Sequence, residues 1–190
     1  MRPLLLLTIA LAMLAGNCSA ASTPVDAQRS SLTIRVFKKG LFSGLAHDHE
    51  IAAPLSSGAV DLAALSIEVH FDARAVQVVD PGASVGDRAK VQETMLSDKV
   101  LDASRFPEIA FVSRSVKVAG ENAYTVQGEL TLHGASHPLT LQVALSNGHY
   151  TGSVNVKQTD FGITPISLAG GSVKVKDVVE INFDIVLRAK

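Results

Sequence analysis

The sequence predicts an all-β domain, an antiparallel barrel, preceded by an export leader. Apolar and polar residues alternate with period two over most of the chain from Ser31 onward. The apolar content is Val, Leu, Ile and Ala, with no Trp, and its β-branched share favours strands. Turn signals recur at close spacing between the alternating runs, the pattern of a sandwich or closed barrel. A length of 190 residues suits one domain. With 47% hydrophobic and 18% charged residues the chain is too apolar for disorder and implies a sizeable core.

The first 20 residues read as a signal peptide. Arg2 supplies a positive start, Leu4 to Ala15 is apolar apart from one Thr, and small residues follow at Ser19, Ala20 and Ala21. The apolar run is too short to cross a bilayer comfortably. The single cysteine, Cys18, falls at this boundary with Asn17 before it, where a lipoprotein signal wants a small residue. Cleavage after Ala20 leaves no cysteine, which removes disulfides, thiol nucleophiles and thiolate metal sites. The expected location is therefore periplasmic or extracellular. Net charge is −1, and losing Arg2 with the leader leaves 16 basic against 18 acidic residues. No basic stripe points to nucleic acid, and a strongly anionic membrane surface is not favoured as a partner.

Residues 21–29 are small and polar and read as a flexible tether, so the barrel domain is expected over 30–190. Leu32, Ile34 and Val36 share one parity, as do Ile67, Val69 and Phe71. Val126, Leu130 and Leu132 form a third set, and Leu139, Leu141, Val143 and Leu145 a fourth. At the end Val179, Ile181, Phe183, Ile185 and Leu187 alternate with polar residues. One wet and one buried face per strand is the mark of an antiparallel rather than a parallel sheet. Turns are expected at Pro54–Gly58, Asp80–Gly82, Gly120–Asn122, Gly134–Pro138, Asn147-Gly148 and Gly170-Gly171. Hairpins are expected between 124–132 and 138–145, and between 139–145 and 151–157. One stretch, about 84–100, breaks the pattern: Val91 with Met95 and Leu96 with Val100 lie at helical spacing, and Ser84 suits an N-cap. It reads as one amphipathic helix that packs on the sheet or plugs a barrel end. No repeat, low-complexity tract or second domain is visible.

In order along the chain, several segments together resemble the YceI-like family, the lipocalin-like polyisoprenoid-binding proteins. They are Ser31–Gly44, Met95–Phe111 with its Phe106-Pro107 entry to a strand, Gly128–Gly134 with Pro138–Leu141, Asp160–Ile163, and Val178–Ile185. The resemblance covers about Ser30 to Lys190; the loop Leu45–Glu50, with His47, Asp48 and His49, departs from it. It implies a lipocalin-like up-and-down β-barrel that holds an isoprenoid lipid, of the quinone or prenyl-phosphate type. It implies no required cofactor beyond that lipid, and it is compatible with a homodimer that would hide a sheet edge.

The residues expected to line such a barrel are Phe37, Phe42, Phe71, Met95, Phe106, Phe111, Phe161 and Phe183, and periodicity alone does not separate lining from core. His47, His49 and Lys157 are the candidates for a headgroup contact. In an extended segment His47 and His49 point to one side, so with Asp48 they also suit a divalent metal if a third ligand is near. A plain polar loop fits the same residues. His133 and His137 read as turn residues, and His70 and His149 as surface ones.

No nucleophile elbow, zinc-protease helix or phosphate loop is present. The expectation is a non-catalytic carrier. A metal-binding or metalloenzyme domain centred on His47-Asp48-His49 is the alternative, and a filled barrel serving as an interaction module a third.

Overall fold

The computed structural model describes residues 22–39, 48–168 and 173–189. The leader with Cys18, Phe42, His47 and the Gly170-Gly171 turn lie outside them. One antiparallel sheet carries β1 Thr23–Pro24, β2 Ser31–Lys39, β3 His49–Ala52, β4 Leu55–Asp61, β5 Ser66–Asp72 and β6 Gln77–Val78. It continues with β7 Glu108–Gly120, β8 Ala123–Leu132, β9 Ala135–Ser146, β10 His149–Lys157, β11 Ser167–Leu168 and β12 Val173–Val186. The strands follow the order β1-β4-β5-β7-β8-β9-β10-β12-β2-β3-β6, with β11 beside β12. No helix among the described residues is long and apolar enough to cross a membrane.

The sheet curls because β3 and β4, separated only by Ala53-Pro54, act as one bent strand. Its first half pairs with β2, Ile51 opposite Ile34, and its second half with β5, Val60 opposite Ile67. β1 fills the seam left between β4 and the end of β12. Val25 N donates to Gly58 O at 2.8 Å on one side; Arg188 N donates to Pro24 O at 2.9 Å on the other. Val25 is 3% exposed and bridges to Leu187. The flexible tether expected over 21–29 is thus corrected: Thr23, Pro24 and Val25 are barrel wall, because the backbone groups flanking the seam need their donors and acceptors, and a turn closed on Asp26 leads from them into β2.

Two turn expectations are also corrected. Residues 55–58 are strand, and Gly58 serves close packing: a Cβ there would lie 2.9 Å from Val69 Cγ1 and 3.1 Å from Val25 Cγ2. The β8–β9 turn is His133-Gly134 alone, with φ of 51° and 74°, the two positive angles a tight hairpin requires. Pro138 sits within β9 opposite Glu129; on its other edge β9 pairs with β10 only at Ala144–Ser146. The second expected hairpin is therefore short. Beyond Thr151 the two strands splay.

The helix α1 spans Val85–Leu96, with the Ser84 side chain accepting from Asp87 N at 3.1 Å. It stops short of Val100 because the Ser97 hydroxyl turns back to donate to Thr94 O. Gln92 fastens it to β6, accepting from Val78 N and donating to Val76 O, each at 2.8 Å. That places Met95 in the core. The molecule thus has a helix end, carrying α1 and the 3-10 turn Gln158–Phe161, and a hairpin end. The hairpin end carries the turns after β4, β7 and β9.

Candidate functional site

Inside the curl lies an apolar cavity of about 130 Å³ lined by sixteen residues, none of them charged. The inward parity of each strand supplies them: Ile67, Val69 and Phe71 from β5, Val126 and Leu130 from β8, Leu139, Leu141 and Val143 from β9, and Ile181, Phe183 and Ile185 from β12. Leu32, Val60, Phe111, Tyr150 and Val154 complete the wall. The Tyr150 hydroxyl is the one polar side-chain group among them. Burial, with the neighbouring Tyr124 adding to it, pushes that hydroxyl above the ordinary phenol range. Apolar cavities of this size accept apolar guests.

On β10 and β12 the inward side chains are buried toward the helix end and half-buried toward the hairpin end, whereas on β8 and β9 Val126 and Val143, nearer the hairpin end, are buried. Along β10 Val156 is buried while Val154 and Tyr150 are half-buried; along β12 Val179 is buried while Ile181, Phe183 and Ile185 are not. Met95, Phe161 and Ile163 are buried in the core at the helix end. Phe161 occupies the splay between β9 and β10, edge-on to His137 at 5.1 Å, with its carbonyl accepting from His133 Nδ1 at 3.0 Å. Asp177 holds this plug. Its carboxylate accepts from Thr159 N at 2.9 Å and Thr159 Oγ1 at 2.7 Å. Chiefly the backbone bond keeps its pKa below the usual carboxylate value.

Three of the expected lining residues, Phe71, Phe111 and Phe183, do line the cavity. Met95 and Phe161 are corrected to core residues of the helix end. Phe37 is corrected to the outer face, where Arg35 and Lys176 stack on its ring at 5.7 and 5.3 Å. Phe106 is corrected to a prop under the β8–β9 turn, 4.7 Å from the His133 ring. Side-chain size marks these four as candidates, three of them Phe and one Met, while strand parity, visible in the sequence, marks most of the true wall. Tyr150, the second residue of β10, is not marked by an alternating apolar run in the sequence.

The polar candidates lie away from the cavity. His49 and Lys157 both sit at the helix end, His49 opposite Val36 and Lys157 opposite Val178, and neither lines the wall. His49 Nδ1 lies 2.6 Å from Asp80 Oδ2, and Asp80, 3% exposed, also accepts from Glu50 N. Asp48 Oδ1 accepts from Lys38 N at 3.0 Å. Among the described residues no three of His, Cys, Asp and Glu converge on a cation site. His70 meets Glu68 and Glu108, and His149 meets Asp184.

With this geometry in hand the chain can be set beside known proteins. The family model described as YceI-like domain matches residues 24–187. A UPF0312 protein of Pseudomonas savastanoi pv. phaseolicola is 33% identical over 88 residues, 40% of this chain and 45% of that protein. The chain thus matches less than half the length of this curated relative. Among solved structures, Burkholderia cenocepacia BcnA superposes with a TM-score of 0.66 at 21% identity, over 87% of this chain and 99% of that one. The Campylobacter jejuni YCEI protein superposes with a TM-score of 0.51 at 16% identity, over 82% of this chain and 86% of that one. At these identities the two structures are likenesses of fold.

Proposed function

The chain belongs to the YceI-like family, and on that premise we propose that it is a carrier for a polyisoprenoid lipid outside the cytoplasm, of the quinone or prenyl-phosphate type. The observation that carries this reading is the cavity wall: sixteen residues without a charge and with a single hydroxyl. Such a wall gives affinity by burying hydrocarbon, roughly 25 cal/mol per Å² of apolar surface. Apart from the Tyr150 hydroxyl it offers no acid, base or nucleophile to a reacting bond, which supports binding as the role. The leader-like start, with Arg2 before Leu4–Ala15, supports action beyond the inner membrane.

The size of the cavity refines the ligand's pose. A space of about 130 Å³ holds one short stretch of tail. A longer chain runs out through the hairpin end, since the helix end is filled by Met95, Phe161 and Ile163. The headgroup then lies at or beyond Tyr150, away from His49 and Lys157.

Tyr124 and Tyr150 are the only tyrosines, Trp is absent, and both lie at this end of the barrel interior, so intrinsic fluorescence reports on the site. Titration with geranylgeraniol from ethanol is expected to change that fluorescence saturably at a one-to-one ratio. A flat response, with no lipid recovered from the protein afterwards, contradicts the carrier reading.

A further inference from the structure

We propose that the hairpin end docks on a neutral lipid surface, with Leu62, Leu65 and Val118 entering it; this rests on the carrier reading above. These side chains are 58%, 43% and 69% exposed; Leu62 and Leu65 lie in the β4–β5 turn, and Val118 lies near the end of β7 at the same end of the sheet. Both hairpins extend the cavity wall outward. Val60 and Ile67, paired at the base of the β4–β5 hairpin, line the cavity, and Leu62 and Leu65 lie just beyond them. Val118 pairs with Tyr124, and Tyr124 pairs with the lining residue Val143. Register thus places all three on strands or turns that continue from the cavity wall.

The backbone adds a second sign. Leu65 holds φ of 51°, a left-handed conformation that Gly or Asn adopts far more readily. Asp61 fixes the turn by accepting from Ala63 N at 2.9 Å and Ala64 N at 2.8 Å. A leucine in a left-handed turn position with 43% of its surface exposed is a residue choice in which function is to be sought.

The occupant follows from the ligand. A tail that fits an apolar cavity has little solubility in water and resides in lipid. Charge around this end is mixed: Arg29, Lys117 and Arg188 stand with Asp26, Asp61, Glu121 and Asp184. Contact with an uncharged, zwitterionic surface therefore suits it better than attraction to an anionic one. A rim of few apolar side chains gives a shallow, reversible contact, as a carrier needs.

The test is flotation of the protein with phosphatidylcholine vesicles loaded with geranylgeraniol, comparing the wild type with Leu62→Asp/Leu65→Asn/Val118→Thr. The variant's vesicle-bound fraction and rate of lipid pick-up are expected to fall about tenfold or more. Its thermal midpoint is expected to match the wild type, and its uptake of geranylgeraniol delivered from ethanol is expected to fall much less than its pick-up from vesicles. Equal flotation and equal pick-up overturn docking, as does a wild-type dimer that the variant abolishes, since a second copy would then cover the rim. If neither protein takes up lipid from ethanol, the carrier reading fails, while flotation of empty vesicles still decides whether the rim binds lipid.

Discussion

The ring of Phe183 lies over the backbone of Gly152, its cross-strand partner: a Cβ on Gly152 would stand 2.5 Å from Phe183 Cζ. The missing side chain gives the ring a place against the wall, out of the cavity. Phe111 likewise lies over Gly128, here a diagonal neighbour, with the same 2.5 Å to Phe111 Cζ. Two glycines in strands thus keep the barrel interior open.

Gly152→Ala is therefore expected to push the Phe183 ring into the cavity. The new methyl also meets Gln142 O, so the backbone cannot simply accommodate it. Stability should fall by about 1–3 kcal/mol in urea denaturation. Geranylgeraniol affinity should fall more than that loss explains, because the ring then occupies ligand space.

Asp80 ties β3 to the segment that leads into α1. Asp80→Ala leaves His49 Nδ1 and Glu50 N without their acceptor, and a loss of about 3 kcal/mol is expected. His49→Ala should cost about 1 kcal/mol, with a double-mutant cycle showing non-additive losses. Ligand uptake should be unchanged in His49→Ala, since His49 lies at the closed end.

Much of the barrel was legible from alternation because one inward face per strand must be apolar. Leu32, Val126, Leu141 and Ile181 all follow that parity. Less legible were features set by contacts between distant segments. Val25 looks like part of a polar tether until Gly58 and Leu187 are seen on either side of it. Gly58 resembles a turn residue until Val69 and Val25 are seen crowding it. Phe37 and Phe106 have the size of lining residues, but size does not report which way a strand faces or where a turn rests.

Asp177 gives an acid-side prediction. Its carboxyl is held below the ordinary value, so its pairing with Thr159 stabilises the folded chain above about pH 4. The contribution is lost as pH falls through the lowered pKa. Asp177→Asn should lower the thermal midpoint at neutral pH and flatten its decline below about pH 4, as calorimetry across pH would show.

Tyr150 gives an alkaline counterpart. Its raised pKa means that the folded state favours the neutral phenol. Stability from this group is full below about pH 10 and is lost as pH rises through the raised value. Tyr150→Phe should remove that alkaline loss. It should also weaken ligands bearing a hydrogen-bond acceptor near the tail by about 1 kcal/mol, while leaving pure hydrocarbons unaffected.

The most direct test is mass spectrometry of the organic extract from the protein purified after expression with its leader. A prenyl lipid or quinone at one equivalent in the wild type, and strongly depleted in folded Gly152→Ala, is the expected result. An extract empty of isoprenoid, still empty after incubation with quinones and prenyl phosphates, would contradict the carrier function.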